Sequence, residues 1–134
     1  MEMIADSSFL ISLFLDTDSR NEEARGMYQK CNERIIVPMS VLEEMFNVLV
    51  YKRGIDYAIE SIDELLSEKE VEKYIFSDDE LEDIIDLIKQ RRTKMSIIDY
   101  EVAYLANKLG RDILCFDKQV KSLLKHLKKR DKNE

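Results

Sequence analysis

The chain has 134 residues, 45% of them hydrophobic, with one proline and three glycines; that length favours one domain with a real core, and that composition excludes disorder. No apolar run approaches the ~18 residues of a membrane span, and the N-terminus lacks the basic region, long apolar stretch and small-residue cleavage site of a signal peptide. The formal net charge of −7 disfavours loose binding to polyanions, but residues 118–134 carry +5 and the rest −12, which leaves room for a local basic strip.

Ile4 and Ala5 lead into Asp6 as a short first strand, and Ser7 or Ser8 is placed to cap a helix running through Leu15. A polar helix follows from about Glu22 to Asn32, then a β-branched strand at Ile35–Val37 bounded by Pro38. Ser40 opens a third helix to about Arg53, where Gly54 stops it; Ser40-x-x-Glu43 is a capping-box pattern that leaves Glu44 without a local role. A fourth helix covers about Asp56–Ser67, with Ile59, Ile62, Leu65 and Leu66 at helical spacing, and Val71–Phe76 reads as a strand. Asp78 or Asp79 caps a fifth helix whose stripe is Leu81, Ile84, Ile85 and Ile88. Ser96 opens a sixth, ended by Gly110, with Ile98, Val102, Leu105 and Leu109 inward. Ile113–Phe116 is the last strand, and a basic helix at about 118–130 turns Val120, Leu123, Leu124 and Leu127 inward. Strands alternating with helices predict an α/β fold, a short and mainly parallel central sheet covered by helices on both faces.

Four acids stand where carboxylates are normally avoided. Asp6 and Asp117 end the apolar runs MIAD and ILCFD, at strand carboxyl ends, where parallel sheets form their sites. Glu44 and Asp99 lie near the starts of helices, in SVLEEMFNVL and SIIDYEVAYLA. Each has a local alternative. Asp6 and Asp117 can cap helices, Asp99 fits a Ser96-x-x-Asp99 cap favoured by the helix dipole, and Glu44 alone reads as a solvated helix residue. Asp99 also leads Ala103 and Ala106 along one edge, where small side chains let an ion or a chain segment come close. If the fold gathers the four, repulsion raises their pKa values unless a cation neutralises them. Hard oxygen ligands suit Mg²⁺ or Mn²⁺, and such sites most often do phosphoryl chemistry.

Lys118, Lys121, Lys125, Lys128 and Lys132 share one face of the last helix, and Arg91, Arg92 and Lys94 immediately precede the Asp99 helix. Either group is a solvated face or a holder of nucleic-acid phosphates. The single histidine, His126, receives no catalytic role. Cys31 and Cys115 are isolated, without CxxC or Cys/His spacing, which argues against zinc and for a reduced, cytoplasmic protein.

These segments together resemble the PIN-domain family, including the VapC-type toxins. IADSSFLISLFL is similar to the family's opening strand with its first acid, and VPMSVLEEMFNVL to the segment of the second, on which Glu44 rather than Glu43 aligns. MSIIDYEVAYLANKLG and ILCFDKQV resemble the third and fourth, while Gly54–Arg92 matches only in helical character. The resemblance implies a single PIN-like domain over 1–134 that hydrolyses RNA phosphodiester bonds with Mg²⁺ or Mn²⁺ held by Asp6, Glu44, Asp99 and Asp117. It also implies a possible antitoxin partner and a homodimer. Two positions depart from the family's habit: Cys115 stands where Thr or Ser is common, and Gln119 where an acid or Asn is common. The alternative they support is a non-catalytic PIN-like scaffold that binds RNA or a protein partner. A haloacid-dehalogenase-like phosphatase would need an Asp at Ser8, and a receiver domain a Lys at the end of a late strand; neither is present.

Overall fold

Four short strands lie side by side in the computed structural model, which describes residues 2–132. They are β1 (Glu2–Ala5), β2 (Arg34–Pro38), β3 (Val71–Tyr74) and β4 (Asp112–Leu114), all parallel, in the order β3-β2-β1-β4. Seven helices among the described residues connect and follow them: α1 (Ser7–Phe14), α2 (Asn21–Lys30), α3 (Met39–Arg53), α4 (Ile55–Ser67), α5 (Asp78–Arg91), α6 (Ile97–Leu109) and α7 (Lys118–Lys132). The chain moves one way across the sheet from β1 to β2 to β3, then crosses back to add β4 on the other side of β1. Crossovers in opposite directions place helices on both faces when each follows the right-handed rule for parallel strands; α1 associates with α2 and α3, α3 with α4, and α6 with α5 and α7. This is the expected α/β architecture.

β1 and β2 are central and apolar because helices cover them on both sides. Ile4, Ala5, Ile36 and Val37 are buried, together with Phe9, Met45, Leu49, Tyr100, Val102 and Leu105 from the covering helices. α7 buries Val120, Leu123, Leu124 and Leu127, as its periodicity predicts. No helix among the described residues is long and apolar enough to cross a membrane. Both cysteines are free thiols.

Several local expectations are corrected. β3 ends at Tyr74 and β4 at Leu114, so Asp117 lies in the turn beyond β4 and not at the strand end. Neither Ser7 nor Ser8 caps α1, because tertiary partners take both hydroxyls. α3 begins behind Pro38 without a side-chain cap, and Ser40 donates its hydroxyl to Glu101, so the Ser40–Glu43 capping box does not form. The capping box of α5 is Ser77 with Glu80, not Asp78 or Asp79. Asp78 and Asp79 become first-turn acids, favourable to the helix dipole. The stripes of α4 and α5 are rotated: Ala58, Ser61 and Leu65, and Ile84 and Leu87, face inward, while Ile59, Leu66, Leu81 and Ile85 are exposed. Both helices carry more isoleucine and leucine than one face needs, so periodicity alone did not select the buried one. α6 is buried nearly all round, and Ala103 and Ala106 lie in the core instead of forming an open edge beside Asp99.

α6 ends as expected. Ser96 accepts the Asp99 N–H at 3.2 Å, and Gly110 takes the left-handed conformation with φ 65°. Substituting Gly110→Ala should cost about 1 kcal/mol, because L side chains resist that conformation. Gly26 lies inside α2 with an open space at its Cβ position and no positive φ. Gly26→Ala should therefore stabilise, by about 0.5–1 kcal/mol. Denaturant melts of the two variants should move in opposite directions from wild type.

Candidate metal centre

The order of the strands reverses at β1, and in parallel sheets sites form beyond the carboxyl ends of the strands at such a point. Asp6 leaves β1 and Asp117 follows β4. The Asp6 N–H bonds to the Leu114 carbonyl at 3.0 Å, which extends the β1–β4 pairing into the site. Ser8 joins the same two segments: its hydroxyl donates to Asp6 Oδ2 at 3.0 Å and accepts the Phe116 N–H at 3.1 Å. Ser7 donates to Glu44 Oε1 at 3.1 Å, which ties the first acid segment to α3. The sequence predicts Ser7 or Ser8 as a cap and not this role; two serines at a helix end that needs only one cap are the signal that points to it.

Asp6 is 1% exposed and its Oδ1 has no hydrogen-bond partner. Burial raises its pKa to about 6, against the pull of the Ser8 hydroxyl and the Ser7 N–H, and the charges of Asp99 and Asp117 add to the rise. Asp99, half-buried in the first turn of α6, is also raised, by burial first and then by Asp117, with Glu44 contributing and the Ser96 hydrogen bonds opposing. Asp6, Asp99 and Asp117 thus act on one another's charge, and Glu44 is coupled to the group through Asp99. Asp117 is partly occupied elsewhere, since its Oδ1 accepts the Gln119 N–H at 2.8 Å. Among the described residues, no three His, Cys, Asp or Glu side chains stand as a closed metal-binding group.

The other two buried carboxylates among the described residues, Glu80 and Glu101, show how unusual Asp6 is. Burial alone would raise Glu80, but the Ser77 N–H, the Tyr74 hydroxyl and Lys108, 2.9 Å away, bring it to about 2. Glu101, on α6, receives the Ser40 hydroxyl. Among the described residues, only Asp6 keeps a buried side-chain oxygen with no donor. An orphaned buried carboxylate oxygen beside further carboxylates, with no lysine or arginine paired to any of the four among the described residues, fits a hard divalent cation.

Cys115 lies buried under this site, its Sγ donating to the Asp117 carbonyl at 3.6 Å. Burial and the neighbouring Asp6 push the thiol up to about 11, so it stays protonated and unreactive at neutral pH. Arg20 stacks over the Phe116 ring at 4.8 Å and braces the turn that leads to Asp117. The basic residues are all exposed: Lys118, Lys121, Lys125 and Lys128 along α7, and Arg91, Arg92 and Lys94 around the end of α5. Arg92 holds a left-handed φ of 53° as the cap of α5, and Lys128 lies 3.7 Å from Asp112.

Fold and site define a parallel α/β domain with an acidic centre at the switch point of its sheet. A profile of the PIN domain matches residues 3–125, and the chain belongs to the PIN-domain family. The fold is similar to that of Mycobacterium tuberculosis VapC20, a toxin that cleaves the sarcin–ricin loop. The TM-score is 0.81 at 20% identity, over 90% of this chain and 93% of that one. VapBC2 from Rickettsia felis, bound to a DNA fragment from its promoter, matches with a TM-score of 0.67 at 13% identity, over 92% and 93% of the two chains. A toxin–antitoxin complex from Klebsiella pneumoniae matches at 0.65 and 12% identity, over 87% and 88%. No curated protein sequence matches the chain.

The raised Asp6 makes stability depend on pH in a defined direction. The folded state prefers the protonated carboxyl, so the penalty is absent below the unfolded pKa of 3.8, grows as pH rises, and is complete above about 6. Its size in the metal-free protein is about 3 kcal/mol at ~1.4 kcal/mol per pKa unit. Asp6→Asn should therefore be more stable than wild type at pH 7 by up to that amount, with the advantage gone below about pH 4. Thermal melts across that range in chelator are the measurement. Equal melting temperatures at pH 7 would show that Asp6 is not strained by its surroundings.

Proposed function

We propose that this protein is a divalent-metal-dependent endoribonuclease in which Asp6, Glu44, Asp99 and Asp117 hold Mg²⁺ or Mn²⁺. The observation that carries this reading is the buried, unpartnered Oδ1 of Asp6 among charges of its own sign. When bound, such an ion lowers the pKa of an attacking water and stabilises charge on the leaving oxygen. The chain's own part is positional. Ser8 holds Asp6 through Oδ2 and leaves Oδ1 free, Ser7 holds Glu44, and the Ser96 cap fixes the turn that carries Asp99. The exposed basic residues Lys118, Lys121, Lys125 and Lys128 are proposed to bind RNA phosphates, as are Arg91, Arg92 and Lys94. Phosphate contacts position a strand without reading its sequence.

Likeness to VapC20 and to two toxin–antitoxin assemblies supports a cytoplasmic toxin role with a protein antitoxin as partner. The exposed apolar side chains of Tyr51, Ile55, Ile59 and Leu66 on α3 and α4 support a protein contact there, with an antitoxin or in a homodimer.

With Mn²⁺ and a single-stranded RNA substrate, Asp6→Asn should stay folded and lose cleavage by more than about a hundredfold, the scale of losing the ion's stabilisation of developing charge. Glu43→Gln should cleave like wild type, because Glu43 is an exposed neighbour of Glu44 without a partner in the site. Loss of activity in Glu43→Gln equal to that in Glu44→Gln would remove Glu44 from the site. A wild-type protein that neither cleaves RNA nor melts at a higher temperature with Mn²⁺ is the non-catalytic scaffold instead.

Changing Lys121, Lys125 and Lys128 to Gln should weaken binding of all single-stranded RNAs alike. The log–log salt slope should become shallower by about 0.7 for each phosphate that is no longer neutralised. Cleavage at saturating RNA should survive far better than in Asp6→Asn. Unchanged affinity at every salt concentration would assign RNA binding to Arg91, Arg92 and Lys94.

A further inference from the structure

Glu101 is a carboxylate that the proposed chemistry does not use. It is 7% exposed on α6, has no ion-pair partner among the described residues, and its Oε2 accepts the hydroxyl proton of Ser40 from α3. Burying an acid against a single neutral donor is costly, and an apolar side chain of similar size would sit there at less cost. We propose that Glu101 is a positioning residue that acts through Ser40 to set the spacing between Glu44 and Asp99; this rests on the metal-dependent reading above.

The place of the contact explains the role. Ser40 stands in the first turn of α3, and Glu44 is four residues further along the same helix. Glu101 stands two residues beyond Asp99 on α6. One hydrogen bond thus joins the starts of the two helices that carry these acids. α3 opens behind Pro38 with no side chain on its free N–H groups, and the helix dipole favours an anion at that end. α3 has no acid in its first turn, and Glu101 brings a carboxyl group from α6 to that end through Ser40. Glu101 is not itself a fifth ligand: residues two apart on a helix differ by about 200° in direction, so Glu101 points away from the face of Asp99. Glu44 is then held from both sides, its carboxylate by Ser7 and its helix start by Glu101.

The test compares wild type with Ser40→Ala, Glu101→Ala, Glu101→Gln and the double Ser40→Ala/Glu101→Ala variant. Mn²⁺ affinity is measured by calorimetry, folding by thermal melts, and KM and kcat by cleavage of a single-stranded RNA. Ser40→Ala and Glu101→Ala should each weaken Mn²⁺ binding by roughly 10–100-fold, the effect of losing an outer support of a metal ligand. KM for RNA should not move, since neither residue lies on the basic face. The double variant should bind Mn²⁺ no more weakly than Glu101→Ala, because both changes break one bond. Glu101→Gln should restore most of the affinity, since its amide oxygen still accepts from Ser40. If Glu101→Ala does not fold, Ser40→Ala, which removes only a hydroxyl, decides alone. Wild-type Mn²⁺ affinity in folded Ser40→Ala overturns the positioning role, and so do additive losses in the double variant or a failure of Glu101→Gln to rescue. A wild-type protein that binds no Mn²⁺ and cleaves no RNA overturns the nuclease reading, and the positioning role with it.

Discussion

One constraint organises this molecule: a carboxylate buried at the end of the central strand with only one of its oxygens hydrogen-bonded. β1 is paired on both sides, and its last bonds carry Asp6 into the interior whatever its charge prefers. Burying an unsatisfied acid costs free energy that only a well-covered sheet can offset. β1 has that cover, with Ile4 and Ala5 wholly inaccessible and helices on both faces. Proteins break their own packing rules mainly at functional positions, and this is the plainest breach in the described chain.

The three buried carboxylates form a gradient of satisfaction. Glu80 has a backbone N–H, a phenol and an ammonium, and it fastens α5 to α6 as a charged clasp. Glu101 has one hydroxyl, and it links α6 to the start of α3. Asp6 shares a hydroxyl through one oxygen and leaves the other bare. The same residue class thus does three jobs, distinguished only by the donors that the tertiary structure brings within reach. A cation reaches Glu80 alone of the three; Glu101 and Asp6 meet only neutral donors, and Asp6 keeps an oxygen that none of them reaches.

The charge map follows a similar logic at larger scale. The body of the chain is strongly acidic, and exposed lysines line the outer face of α7, whose first residue follows Asp117 directly. A body of net negative charge with basic clusters on α7 and at the end of α5 restricts where a nucleic-acid backbone can lie.

Much of this was legible in the residues. Short apolar runs alternating with amphipathic helices determined a parallel α/β sheet, and Gly54, Gly110 and Ser96 marked helix ends through backbone chemistry that acts within a few residues. Asp6, Glu44, Asp99 and Asp117 stood out as a set, although each alone had a local reading as a helix cap or a solvated helix residue. The tertiary structure decided what depends on distant partners. Ser7, Ser8 and Ser40 were all read as helix caps, yet each hydroxyl is captured by a group from another segment. Periodicity could not choose between the two apolar faces of α4 or α5, since the choice belongs to the surface each helix meets. Nothing near Glu101 in the chain announced Ser40, because a side-chain hydrogen bond between residues 61 positions apart exists only once the sheet has brought α3 and α6 together.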